Sequence, residues 1–186
     1  MPLVGKSLCL ALLLGAVCAL QGCETDNRPA PTPTPNPHPQ KTLKLLITVE
    51  PSLVDRVEVS TQWVVTNLGC APVQPISGAA RVKQVDVKEH VEKMGDNYIA
   101  TIIVDRFLPD SCHWSGGGAG IRFFHGNYWL AVHGVNDDVT RGERKDVRTC
   151  ITRPFTTVGI CGPRDKESFY KKEDKNAFNM TVELIK

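Results

Sequence analysis

The chain has 186 residues and a formal net charge of +2. That length fits one domain of ordinary size with a sizeable core. The balanced charge, with no basic run and no arginine stripe interleaved with aromatics, excludes a nucleic-acid-binding protein.

The first element in chain order is a leader. Lys6 precedes an almost wholly apolar run, Leu8 to Leu20, and small Gly22 precedes Cys23. This is the pattern of a secretory signal, with a positive start and an apolar middle. A spanning helix needs about 20 apolar residues; this run is shorter, is interrupted by Gly15, and ends at Gln21. Leu20-Gln21-Gly22-Cys23 resembles the lipobox of bacterial lipoproteins. The resemblance implies removal of residues 1–22 and lipidation of Cys23, which converts the protein from soluble to anchored. Glu24 does not match the aspartate that retains such proteins at the inner membrane in enteric bacteria. The expected location is therefore the outer membrane, facing the periplasm, with the inner membrane as the alternative.

Residues 23–40 follow as a linker. Every second residue from Pro29 to Pro39 is proline, which keeps the backbone extended. At about 3.1 Å per residue, Glu24 to Gln40 would hold the domain roughly 50 Å from the lipid.

Residues 41–186 carry mostly strand signals. Leu43–Val49, Val57–Ser60, Trp63–Val65, Val82–Val87, Tyr98–Val104, Gly120–Phe124, Tyr128–His133 and Phe178–Leu184 are β-branched, aromatic or alternating. His125-Gly126-Asn127 reads as a turn. Val87 to Met94 reads equally as a short helix or as a charged hairpin. The expected fold is all-β and mainly antiparallel, a β-sandwich of about seven or eight strands.

Four cysteines remain after the leader and Cys23: Cys70, Cys112, Cys150 and Cys161. An even number in an exported domain predicts two disulfides. Three pairings are open, and sequence alone does not choose among them. Cys150–Cys161 is favoured because the short segment between them, with Pro154 and Gly159, folds back easily; Cys70–Cys112 is then the longer staple.

No constellation carries catalysis. Asp110-Ser111-Cys112-His113-Trp114-Ser115-Gly116-Gly117-Gly118 is the densest group, but it has no GxSxG elbow and no phosphate-loop lysine. It reads as a disulfide-pinned loop with Trp114 packed on the sheet. His90, His113, His125 and His133 are scattered, although a hairpin could bring His125 near His133. Asp137-Asp138 lacks the ligand alternation of a calcium loop. The chain is therefore expected to be no enzyme, with no cofactor and no metal.

Thr66-Asn67-Leu68-Gly69-Cys70-Ala71-Pro72, then Ile76-Ser77-Gly78, Asp105 and Cys112-His113-Trp114, resemble a group of poorly characterised lipoproteins of Gram-negative bacteria. The resemblance covers roughly residues 57–132. Some similar lipoproteins are held to be periplasmic immunity proteins, encoded beside toxic effectors of contact-dependent secretion systems. The resemblance implies a structural role for Cys70 and Cys112, which supports pairing them. It also implies a protein partner, a secreted toxin. A subunit of an envelope or secretion complex, tethered by a structural lipoprotein, is the alternative. Trp114, Phe123, Tyr128 and Trp129 are the candidate contact residues, with core packing as the competing explanation for each.

Overall fold

A computed structural model of the chain describes residues 26–50, 53–74, 76–153, 157–163 and 176–185. The leader and Cys23 lie outside the described residues. The strands are β1 (Thr42–Val49), β2 (Arg56–Val65), β3 (Gln84–Lys88), β4 (His90–Met94), β5 (Asn97–Ile103), β6 (Trp114–His125), β7 (Tyr128–Val135), β8 (Asp146–Arg153), β9 (Thr157–Pro163) and β10 (Ala177–Ile185). A 3-10 turn covers Leu68–Cys70, and one helical turn, α1, covers Asp137–Thr140.

Alternation decides which side chains enter the core, because successive residues of a strand point to opposite faces. Leu45, Ile47 and Val49 of β1 are buried while Thr48 is exposed. Val57, Val59, Thr61, Trp63 and Val65 of β2 point inward, as do Phe178, Met180 and Val182 of β10. Phe123 of β6 is fully buried and meets Phe178 edge-to-face at 5.2 Å. Burying such a ring contributes about 2–3 kcal/mol.

The expectation of a sandwich is not met. The described strands form one continuous ladder in the order β3-β2-β6-β7-β9-β8-β10-β1-β5-β4. Its pairs are antiparallel except β7 with β9. The two ends of the ladder, β3 and β4, are consecutive in the chain and separated only by Glu89. One stretch of backbone thus pairs first with β2 and then with β5, which curls the sheet into a nearly closed barrel. Alternation shows that a strand is buried on one face; it does not show whether that face meets a second sheet or its own. The same bend settles Val87–Met94, which is strand on both sides of Glu89 and not helix. The Glu89 N–H donates to the Val59 carbonyl across it.

Two more differences have local causes. β8 and β9 escape the pattern because Asp146 and Arg148 occupy inward positions of β8. β6 begins at Trp114, so the glycines of 116–118 are strand and not loop. A Cβ at Gly116 would lie 3.6 Å from the Trp63 ring, an ordinary contact, so the glycine lies against the indole.

The proline segment differs from a free spacer. Asn36 N–H donates to the Arg106 carbonyl and Leu108 N–H to the Thr34 carbonyl, with a bridge between Pro35 and Phe107. The Asp105 carboxylate accepts from the backbone N–H of Gln40 and of Lys41. Upstream, Arg28 donates to the carbonyls of Gly69 and Ala71, and Asp26 accepts from the Val73 N–H. Pro33 is buried. A polyproline backbone makes no internal hydrogen bonds, so its carbonyls and the few N–H groups are free to bond to the domain. The strap runs along one end of the barrel, where β1 begins and β2, β5, β7 and β10 end.

Candidate functional site

The strap end is stapled first. Cys70 and Cys112 form one disulfide and Cys150 and Cys161 the other, the latter directly opposite each other across β8 and β9. Both favoured pairings are thus present. Around Cys112 the backbone does the holding. Thr66 donates its N–H and hydroxyl to the His113 carbonyl, and Asn67 donates to the Ser111 carbonyl. The Asp110 carboxylate accepts from the Cys112 N–H. His113 is exposed at φ +52, so the Asp110–His113 segment is a pinned turn that feeds β6.

Two ionic groups are buried at this end. The Glu89 side chain, 1 % exposed, accepts from the Thr61 hydroxyl at 2.6 Å and from the Arg106 guanidinium. Trp63 donates its indole N–H to the same Thr61 oxygen at 3.3 Å. Across the barrel, His133 Nε2 lies 2.8 Å from Asp146, and Arg148 donates to the other Asp146 oxygen. Burial pushes the His133 imidazole below its ordinary pKa; the Asp146 carboxylate opposes this less strongly, so the ring is neutral at pH 7.

Both carboxylates are bonded within their own group: Glu89 to Thr61 and Arg106, and Asp146 to His133 and Arg148. Beside Thr61 lies a cleft of about 210 Å³ lined also by Trp63, Ile102, Gly116, Asp137 and Thr140. Its Thr61 hydroxyl is committed to Glu89, and the Thr140 hydroxyl donates to the Asp137 carbonyl. The Asp138 carboxylate is taken by Arg144 and by the Val139 N–H. Among the described residues no group of three His, Cys, Asp or Glu side chains is placed to hold a metal. His125 and His133 do not meet. His125 pairs with Tyr128 beside the turn and His133 with Ile121, several residues along the ladder. One is exposed and the other points into the barrel.

The candidate contact residues separate. Phe123 belongs to the core. Trp114 is half-buried at the strap end of β6, while Tyr128 and Trp129 are exposed at its other end, beyond the turn at Gly126-Asn127. Eleven strand steps part Trp114 from His125, roughly 36 Å at 3.3 Å each. One surface therefore cannot use all of them closely.

Around Trp129 a platform forms on the outer face of β2, β6 and β7. Its ring stacks on Phe124 at 6.5 Å and 21°. The Arg56 guanidinium covers the other part of Phe124 at 3.8 Å, and Arg122 approaches the Trp129 ring at 5.5 Å. The register explains this: Arg56 is opposite Phe124, Phe124 opposite Trp129, Glu58 opposite Arg122, and Arg122 opposite Val132. The Trp129 indole N–H donates to the Ala131 carbonyl at 3.1 Å, which fixes the ring while leaving it 44 % exposed. Ile160 of β9, opposite Val132 and 54 % exposed, continues the apolar row. Charges frame it. Lys88 bonds to Glu58 at 3.0 Å and holds that carboxyl below the usual range.

Sequence reasoning found Tyr128 and Trp129 but missed Arg56, Arg122 and Phe124, whose only signal was aromatic and cationic residues at alternate outward positions. Comparison with known protein families, with curated proteins and with solved structures gives no match.

Proposed function

We propose that this chain is a membrane-anchored, non-catalytic binding module of the periplasm that acts as an immunity-type inhibitor, covering a surface of a secreted toxin. Cys23 carries the lipid and holds the module at the outer membrane. The observation that carries the reading is the Trp129–Phe124–Arg56 stack. Exposed tryptophan and arginine, already held in place, are the residue types that dominate binding energy at protein interfaces. A side chain fixed before contact loses less entropy on binding. Blocking a toxin needs such complementarity and no chemistry of the inhibitor's own, in keeping with polar groups that are already bonded to one another.

The test uses the oxidised, lipidated protein and its Trp129→Ala variant as baits for envelope extracts of producing cells and of neighbouring strains. The expected result is one toxin-like partner, retained by the native protein and lost by the variant. Producing cells lacking the protein should then be sensitive to that partner. Equal recovery by both baits, or no sensitivity, would sink the inhibitor reading.

A second reading, a structural tether of an envelope or secretion complex, draws on the docked strap. A module tied down close to its anchor suits a fixed place in a complex. Recovery of envelope subunits in place of a toxin would favour it.

A further inference from the structure

We infer that the loop from Leu68 to Val82 is a membrane-docking surface that seats in the headgroup region of an anionic phospholipid leaflet. The inference rests on the reading that Cys23 is lipidated. It starts from the strap. Asp26 is bound to the Val73 N–H at 2.9 Å, and Arg28 to the carbonyls of Gly69 and Ala71 at 3.1 and 3.3 Å. From Cys23 to Asp26 there are three residue steps, at most about 11 Å of extended chain. An acyl chain on Cys23 therefore brings this loop, and not the far end of the barrel, to the bilayer surface.

The loop has the surface that such a position needs. Among the described residues, six of the eleven exposed large hydrophobic side chains lie at this end: Leu68, Val73, Ile76, Val82, Val104 and Leu108. Ile76 is fully exposed at the loop's tip, where the Val73–Ala80 bridge and the bond from Arg81 N–H to the Pro72 carbonyl turn the chain back. An isoleucine held out in water costs free energy that an interface recovers. The Cys70–Cys112 disulfide fixes the base of the loop, so little order is lost on insertion. Residues 66–83 contain Arg81 and Lys83 and no carboxylate; beside them Arg28, more than half exposed, is paired with Asp26 at 2.8 Å, so Arg81 and Lys83 carry the loop's excess charge. Cations within a Debye length of an anionic leaflet are drawn to it. The opposite end offers Tyr128 and Trp129 but no chain leading to the anchor.

The experiment uses the mature protein purified from its own membrane. Mass spectrometry of the N-terminal peptide reads acylation of Cys23 directly. The protein is placed in vesicles of phosphatidylethanolamine and phosphatidylglycerol with brominated acyl chains, which quench nearby tryptophan. Two single variants, Ile76→Trp and Asn127→Trp, add a reporter at exposed positions of either end. The expected result is an acylated Cys23, a blue-shifted and quenched reporter at 76, and an unquenched one at 127. An acylated Cys23 with position 76 no more quenched than position 127 overturns the docking surface and leaves the anchor intact. An unmodified Cys23 overturns the anchor, and this inference with it.

Discussion

The two ends of the barrel use charge in opposite ways. At the strap end, Glu89 with Arg106 and Asp146 with His133 and Arg148 are buried, while the apolar side chains of the adjoining loop are exposed. At the hairpin end, tight turns at Gly95-Asp96 and Gly126-Asn127 close the strands, and arginines lie outside against aromatic rings. A buried charge must find its partners inside, so it fixes structure. An exposed guanidinium over a ring remains accessible to a second molecule. Under the proposed binding role, the contrast puts stability at one end and recognition of the protein partner at the other.

The largest effect should come from breaking the strap end. Arg106→Met removes the guanidinium from the buried Glu89 side chain and leaves it, among the described residues, only the Thr61 hydroxyl as a side-chain partner, a loss of about 3–5 kcal/mol. At roughly 2–4 °C per kcal/mol for a chain of this size, thermal melting should show it clearly. Adding Glu89→Gln should restore most of the loss, because the Thr61 hydroxyl keeps an acceptor and no charge is stranded. If the double variant melts as low as the single one, the arginine matters for packing and not for charge.

Removing the staple comes next. Cys70 and Cys112 are 42 residues apart, and the chain-entropy relation gives about 4 kcal/mol for a loop of that length. The Cys70→Ala/Cys112→Ala protein should unfold at lower urea concentration. The Cys150–Cys161 pair, 11 apart, should cost about 3 kcal/mol by the same relation. The reverse order of midpoints would mean that native-state contacts outweigh loop entropy.

The hairpin end should behave otherwise. Trp129→Ala should weaken partner binding by about 2 kcal/mol or more, while a largely exposed ring should shift the unfolding midpoint little. A large loss of stability in this variant would erase the division of labour between the ends.

The smallest expected effect is one of pH. Burial holds His133 below its ordinary value of about 6.5, so on acidification the unfolded chain takes up this proton first. His133 therefore contributes no pH-dependent loss above about pH 6.5 and destabilises the fold as the pH falls below it. His133→Asn should flatten urea midpoints between pH 7 and pH 5. An unchanged slope would put the acid sensitivity elsewhere.

Much of this was legible before the fold. β1, β5, β7 and β10 follow alternation because each has one face in the core. β8 was hidden by Asp146 and Arg148, since charged residues at inward positions cancel the very signal being read. Closure was hidden too, because the bend at Glu89 leaves no local mark. Tyr128 and Trp129 stood out by type alone. The Arg56–Phe124–Trp129 stack did not, because it is assembled from three strands, and only their register brings Arg56 within reach of a ring 68 positions later. The ionic pairs were beyond reach for the same reason: Glu89 and Arg106 meet across 17 positions with a hairpin between them.

The neighbours of β1 have a consequence for how the chain acquires its shape. Its first strand lies between β5 and β10, and Lys44 is opposite Ile185. A chain emerging from its N-terminus can build the β4–β5 and β6–β7 hairpins early. It cannot complete the ladder until the last nine-residue strand has arrived. Such distant pairing places folding in the millisecond-to-second range typical of β proteins. Until then Leu45, Ile47 and Val49 wait without the β10 residues that will cover them, so the period of greatest risk of aggregation ends only when β10 has paired.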